Sequence, residues 1–191
     1  MQAATALPAR RRFTVDEFEH LAEVGILDED DRVELLDGDI VEMTPISSQH
    51  AGGVNALIAI YAGRLGDRAV VAAQNPVRLD DFNEPQPDLC LLRPREDRYR
   101  RSHPGAGDVL LLIEVAHTSQ PYDQGIKAPL YSRYGVRETW VVDVDESTVH
   151  VFRDPSPAGY RSHEQLRPGE TVAPEAFPEV LVEVAEIVGA P

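Results

Sequence analysis

The chain carries a single cysteine in 191 residues, so it cannot close an intramolecular disulfide. Cys90 lies in the apolar run LCLL, where a free cysteine belongs to the core, and a reducing cytoplasm is the compartment this implies. Long apolar runs are missing too. No stretch approaches the roughly 18 residues that cross a bilayer. The start, MQAATALPARRR, places its charges after a weak apolar segment rather than before it, so neither a membrane span nor an export signal is expected. There is no glycine-rich phosphate loop, and Ser47, Ser48 and Ser119 lack the Gly-x-Ser-x-Gly setting, which argues against P-loop nucleotide binding and against a serine hydrolase. His20, His103, His117, His150 and His163 never pair with another His or Cys at finger intervals, so no zinc site is expected. Positive charge is scarce: the formal net charge is −15, which repels polyanions and argues against avid, counterion-driven binding to nucleic acid. What basic charge there is clusters. Arg93, Arg95, Arg98, Arg100 and Arg101 crowd one loop and Arg10 to Arg12 another segment, as a solvated loop and a frayed terminus or as a local basic rim.

The length fits one domain of ordinary size, with residues 1–12 as a flexible lead and 13–191 as the domain. Thr14 and Glu17 form a capping box for a helix carrying Phe18, Leu21 and Val24 and ending near Gly25. In RVELLDGDIVEM, the Asp37-Gly38 pair predicts a tight hairpin with Glu34 and Glu42 on its two arms. From Ser47 or Ser48 to Leu65, Val54, Leu57, Ile58 and Tyr61 recur at helical spacing, with His50 in the first turn and Gly52 and Gly53 weakening the start. AVVAA, PVRL and DLCLL read as strands separated by turns. VLLLIEVA at 109–116 is the most apolar run, as expected of a central strand covered on both faces. After it come a helix, then TWVVDV and TVHVF as a meander edge, then a last strand and a short closing helix or turn. The class is α/β or mixed α+β.

Two carboxylates and a lysine stand out. Asp88 follows Pro87 at the head of DLCLL, a common strand-entry position that carries little weight alone. Glu114 interrupts the greasiest run, where an ionised carboxylate costs several kcal/mol unless it is paired. If the strands holding Asp88 and Glu114 are neighbours, their side chains approach to roughly 5 Å and suit joint coordination of one hard ion. Mg2+ is the usual occupant, and Mn2+ can substitute. Such an ion acidifies a bound water and offsets phosphate charge. Lys127, Leu130, Tyr131 and Tyr134 share one helical stripe, which turns the lysine inward. Pro129 places the helix start near Gly125 or kinks the helix. The plain reading, a buried structural ion pair between Glu114 and Lys127, stands beside the metal one. His50 either faces the same point or serves capping. Tyr131, Tyr134 and Trp140 read as core aromatics.

RVELLDGDIVEMTP, SSQH, PQPDLCLL, LLIEVAHTS and YDQGIKAPLYSRYGVRETWVVDV together resemble the Uma family of restriction endonuclease-like proteins, from about residue 13 to the C-terminus. That family is assigned to the PD-(D/E)xK nuclease superfamily, whose core is a mixed β-sheet flanked by helices. The resemblance implies a metal-dependent endonuclease that hydrolyses DNA phosphodiester bonds. It makes Asp88 the motif aspartate, Glu114 the second acid, Lys127 the lysine displaced onto the following helix, and Glu34 an acid that completes the metal site. Two departures are visible: Ala116 stands where the superfamily's lysine usually lies, and His117 where the family usually shows serine. Restriction-like enzymes often act as homodimers because two strands need two cuts, and the edge after Trp140 offers such a contact. A noncatalytic binding or assembly module on the same fold is the alternative that the negative charge favours. A carboxylate-pair glycosidase would leave Lys127 without a task.

Overall fold

A computed structural model describes residues 10–28, 30–117 and 119–189. Residues 1–9 of the expected flexible lead lie outside the described residues. Arg12 does make contacts: its guanidinium donates to the Asp37 carbonyl at 2.5 Å and stacks 4.3 Å from the centre of the Phe82 ring.

Helix α1 (Val15–Glu23) opens with the expected capping box, Glu17 N–H donating to Thr14 Oγ1 and Thr14 N–H to Glu17 Oε2. Strands β1 (Val33–Leu36) and β2 (Asp39–Glu42) form the expected hairpin. Its two-residue turn needs positive φ at both positions, and Asp37 (φ 49) and Gly38 (φ 79) supply it. Helix α2 (Ser48–Leu65) is capped by Ser47, whose hydroxyl accepts the His50 N–H at 3.1 Å.

The main sheet has six strands in the order β3 (Val70–Ala73), β4 (Leu89–Leu92), β5 (Val109–Ala116), β6 (Glu138–Asp143), β7 (Thr148–Arg153) and β8 (Ser162–Leu166). All pairings are antiparallel except β5 with β6, which the intervening helical segment makes parallel. Alternation along β5 divides the core. Leu111, Ile113 and Val115 pack with α2 and the closing helix α5 (Val184–Val188). Leu112 joins Cys90, Leu92, Tyr131 and Val136 on the opposite face. Both faces are covered, which is why the strand reads as one apolar run. Glu138 is also buried there, held by Trp140 Nε1 at 2.8 Å, Arg153 at 2.7 Å and the Glu175 N–H at 2.6 Å.

Four expectations are corrected. TVHVF, expected at the edge of a meander, is the interior strand β7, paired with β6 on one side and β8 on the other. PVRL is no strand; only Arg78 makes a bridge, parallel, to Gly105. The polar segment SHEQL, unread as a strand, is β8, an edge whose residues are mostly exposed and so need no apolar alternation. The helical segment after β5 begins at Gln120, earlier than Gly125: α3 (Gln120–Tyr122) leads into a π-helical turn (Asp123–Lys127) and α4 (Ala128–Arg133). The wider turn, with Ala128 N–H bonded to the Asp123 carbonyl, lets the helix absorb Pro129, whose ring would crowd the carbonyl four residues back in a regular α-helix. The last strands, β9 (Thr171–Val172) and β10 (Val182–Glu183), pair beside α5.

Candidate active site

Register brings the expected acids together. Leu89 pairs with Ile113, so Asp88, just before β4, and Glu114, inside β5, stand one step beyond that pair. Asp88 precedes the first residue of β4, and its carboxylate bonds the backbone of β5: Oδ2 accepts the Val115 N–H at 2.8 Å. Its other oxygen, Oδ1, lies 2.9 Å from His50 Nε2 in the first turn of α2, while His50 Nδ1 is buried without a partner. His50 therefore carries its hydrogen on Nε2 toward the carboxylate.

Glu114 emerges on the opposite face of the sheet from Ile113 and meets Lys127. The ammonium lies 3.1 Å from Glu114 Oε1 and 3.0 Å from Glu34 Oε2. All three side chains are at least 95% buried. The π-helical turn carries Lys127 into this position from the helix, so its distance in sequence from Glu114 does not separate them in space. Glu34 is placed by the hairpin, which docks through the Leu35–Glu84 bridge and through Asn83 Oδ1 accepting the Asp37 N–H at 2.7 Å. Glu34 Oε2 also accepts the Gln86 N–H at 3.1 Å.

Two contributors escaped sequence reasoning. Tyr131, read as core alone, is fully buried and donates its hydroxyl to Glu114 Oε1 at 2.5 Å. Asp123 is buried at the start of the π turn and accepts the Ser119 hydroxyl at 2.7 Å. The signal for Tyr131 was its place on the Lys127 stripe; for Asp123 it was only an acid near the head of an otherwise apolar-facing helix. His117 lies on the rim, its Nε2 3.4 Å from Asp145 Oδ1.

These groups line one cleft of about 340 Å3, with Glu34, His50, Asp88, Glu114, Asp123 and Lys127 in its wall. Arg32 borders it, whereas Arg95 and Arg98 of the arginine loop line a separate depression. Electrostatically the cleft is overloaded with negative charge. Burial pushes the Glu114 carboxyl well above the usual carboxylate range; Lys127 opposes this, and Asp88, Asp123 and Glu34 add to it. Burial also raises Asp123, against the Ser119 hydrogen bond. Burial alone would lower Lys127, but Glu114, Glu34 and Asp123 outweigh it and hold the ammonium charged, above its ordinary value. Glu34 and Glu114 hold the ammonium, and with Asp88 and Asp123 in the same wall they offer carboxylate oxygens of the kind a hard divalent cation takes. No three of them bring oxygens within 4.8 Å of one another among the described residues, because Lys127 stands between Glu34 and Glu114 while His50 and Val115 hold Asp88.

Comparison with known proteins agrees with this architecture. A crystal structure described as that of "a putative nuclease belonging to DUF820" from Anabaena variabilis superposes with a TM-score of 0.72 at 19% identity, covering 92% of this chain and 97% of that one. At that identity the likeness establishes the fold. No curated protein matches the chain. The family model described as "Uma2: Putative restriction endonuclease" matches residues 15–185, and the chain belongs to that family.

Proposed function

We infer that the protein is a Mg2+-dependent endonuclease that hydrolyses DNA phosphodiester bonds, with Asp88 and Glu114 as the cation's ligands and Mn2+ able to substitute. The observation that carries this reading is the cleft in which Glu34 and Glu114 pair with the single ammonium of Lys127 while Asp88, held by His50, lines the same wall. The excess of buried negative charge disfavours a phosphate until a cation offsets it. When bound, a divalent cation supplies charge neutralisation and a more acidic water.

The chain's own residues then divide the work. His50 and the Val115 N–H fix the two oxygens of Asp88. Tyr131 and Lys127 both engage Glu114 through Oε1, which leaves Oε2 for the cation. Lys127 remains protonated, so its contribution is electrostatic stabilisation of the phosphate rather than proton abstraction. Glu34 anchors the ammonium and completes the acidic shell. Residues 13–191 act as one restriction endonuclease-like domain in a cytoplasmic setting, and a homodimer formed along the exposed β8 edge would deliver two cuts.

The test is cleavage of supercoiled plasmid with Mg2+ or Mn2+. Asp88→Ala and Glu114→Ala should each reduce cleavage at least about 100-fold, the scale on which a single electrostatic group is lost from an active site. Parent-level cutting by either variant would overturn the assignment. A second reading, a noncatalytic module that keeps the fold, draws on the closed Glu34–Lys127–Glu114 arrangement, in which each acid already has a cationic partner. Calorimetric titration separates the two: the absence of both heat and thermal shift with Mg2+ and Mn2+ favours the module.

A further inference from the structure

The most informative feature outside this cleft is a meeting of Glu19 on α1, Glu84 on the segment before β4, and His103 on the long loop before β5. Each offers one ligand atom, and the three atoms lie within 4.8 Å of one another. Glu19 and His103 are exposed, and exposed acids often gather without purpose. Glu84 is different. Its side chain is 4% exposed, and its Oε1 is buried with no hydrogen-bond partner. A buried carboxylate oxygen without a donor is destabilising, more so when charged, so its persistence calls for a partner. Arg78 is the nearby cation, but its guanidinium is engaged by Asp16 at 2.9 Å and Asp81 at 3.3 Å.

The backbone around the three residues is held independently of any ligand. Val15 N–H bonds the Asp81 carbonyl at 2.8 Å and fixes the start of α1. Glu84 exchanges backbone hydrogen bonds with Leu35, next to Glu34 of the cleft. Arg78 N–H bonds the Pro104 carbonyl at 2.9 Å, beside His103. Three segments that are far apart in sequence thus present their side chains to one point on a prepared frame.

We propose that Glu19, Glu84 and His103 form a second divalent-cation site, selective for Zn2+ over Mg2+, that clamps α1 and the loop before β5 onto the segment carrying Glu84. One imidazole with two carboxylates is a borderline donor set that suits zinc, whereas Mg2+ prefers oxygen alone. Three protein ligands leave a fourth tetrahedral position to water. Such a set needs ligand atoms roughly 3.4 Å apart, a short closure that two exposed side chains can make. The site stands whether or not the protein is a nuclease. Its residues follow no finger spacing, so nothing in their order along the chain hints at zinc.

The probe is zinc chloride added to metal-free full-length protein, read by calorimetry and thermal shift, with Co2+ absorption reporting coordination number. The parent should bind one Zn2+ at this site with a rise in melting temperature, and Co2+ should give the intense visible bands of four-coordination. His103→Ala, an exposed change that leaves the core intact, and Glu84→Gln should each weaken zinc binding by at least about 100-fold, since even outer-shell partners are worth 10–100-fold. Asp88→Ala should keep this binding, because its site is separate. Zinc affinity unchanged in His103→Ala, zinc binding lost in Asp88→Ala instead, or no binding by the parent would each overturn the proposal.

Discussion

Lys127 shows how far one buried charge is committed by its neighbours. Its ammonium offsets Glu34 and Glu114 at about 3 Å each, and all three are nearly sealed from water. Lys127→Met leaves two acids without their cation, so urea unfolding should show a loss of about 3–5 kcal/mol, the range for breaking one side of a buried pair. A variant as stable as the parent would mean that the acids hold protons instead. A second pairing that the sequence concealed is His150 with His163: the rings stack 5.2 Å apart, with a 3.0 Å nitrogen contact. Burial first, and then the charge of His163, lowers the His150 pKa below its ordinary 6.5. A depressed folded pKa gives stability that is present above the unfolded value and lost as pH falls through the folded one. Melting temperature should therefore decline as pH falls below about 6.5, and less so in His150→Gln. An equal decline in both proteins would place the titration elsewhere.

At the level of elements, α2 shows why two adjacent glycines are not equivalent. A Cβ at Gly53 would meet Val115 Cγ1 at 3.0 Å, so this glycine lets the helix approach β5 closely and carry His50 to Asp88. At Gly52 a Cβ meets nothing within 4 Å. Gly53→Val should destabilise by about 1–3 kcal/mol through overpacking. Gly52→Ala should stabilise by about 0.5–1 kcal/mol through helix entropy. Denaturant titration of the pair checks both signs, and a neutral Gly53→Val would show that the helix can shift. The helical segment 120–133 teaches the same lesson about local reading. Its apolar stripe announced the inward lysine, but the π turn that accommodates Pro129 and buries Asp123 has no sequence signature separate from an ordinary helix start.

For the whole molecule, the charge of −15 repels any polyanion, and the proposed reading then predicts how duplex DNA is met. With EDTA present, duplex binding read by fluorescence anisotropy should be undetectable even at low salt, and it should appear only when Mg2+ or Mn2+ is added. Tight binding without a cation, collapsing by about 10³–10⁵ between 50 and 200 mM salt, would instead reveal a basic face making many phosphate contacts. Much of the architecture was written locally. The capping box, the Asp-Gly turn, the serine-capped α2 and the unbroken apolar run of β5 depend on neighbours within a few residues, so sequence alone determined them, and Glu114 inside that run announced a paired buried acid. The polar edge strand β8 was hidden because an exposed edge carries no alternation to read. Only the tertiary structure decided which groups share a space: that Lys127 reaches both Glu34 and Glu114, that Tyr131 serves Glu114, and that Glu19, Glu84 and His103 converge. Hydrophobic periodicity and turn chemistry act over a few residues, whereas a charge feels whatever chain packing brings within a few ångströms, and that proximity is fixed only when the sheet and its covering helices close together.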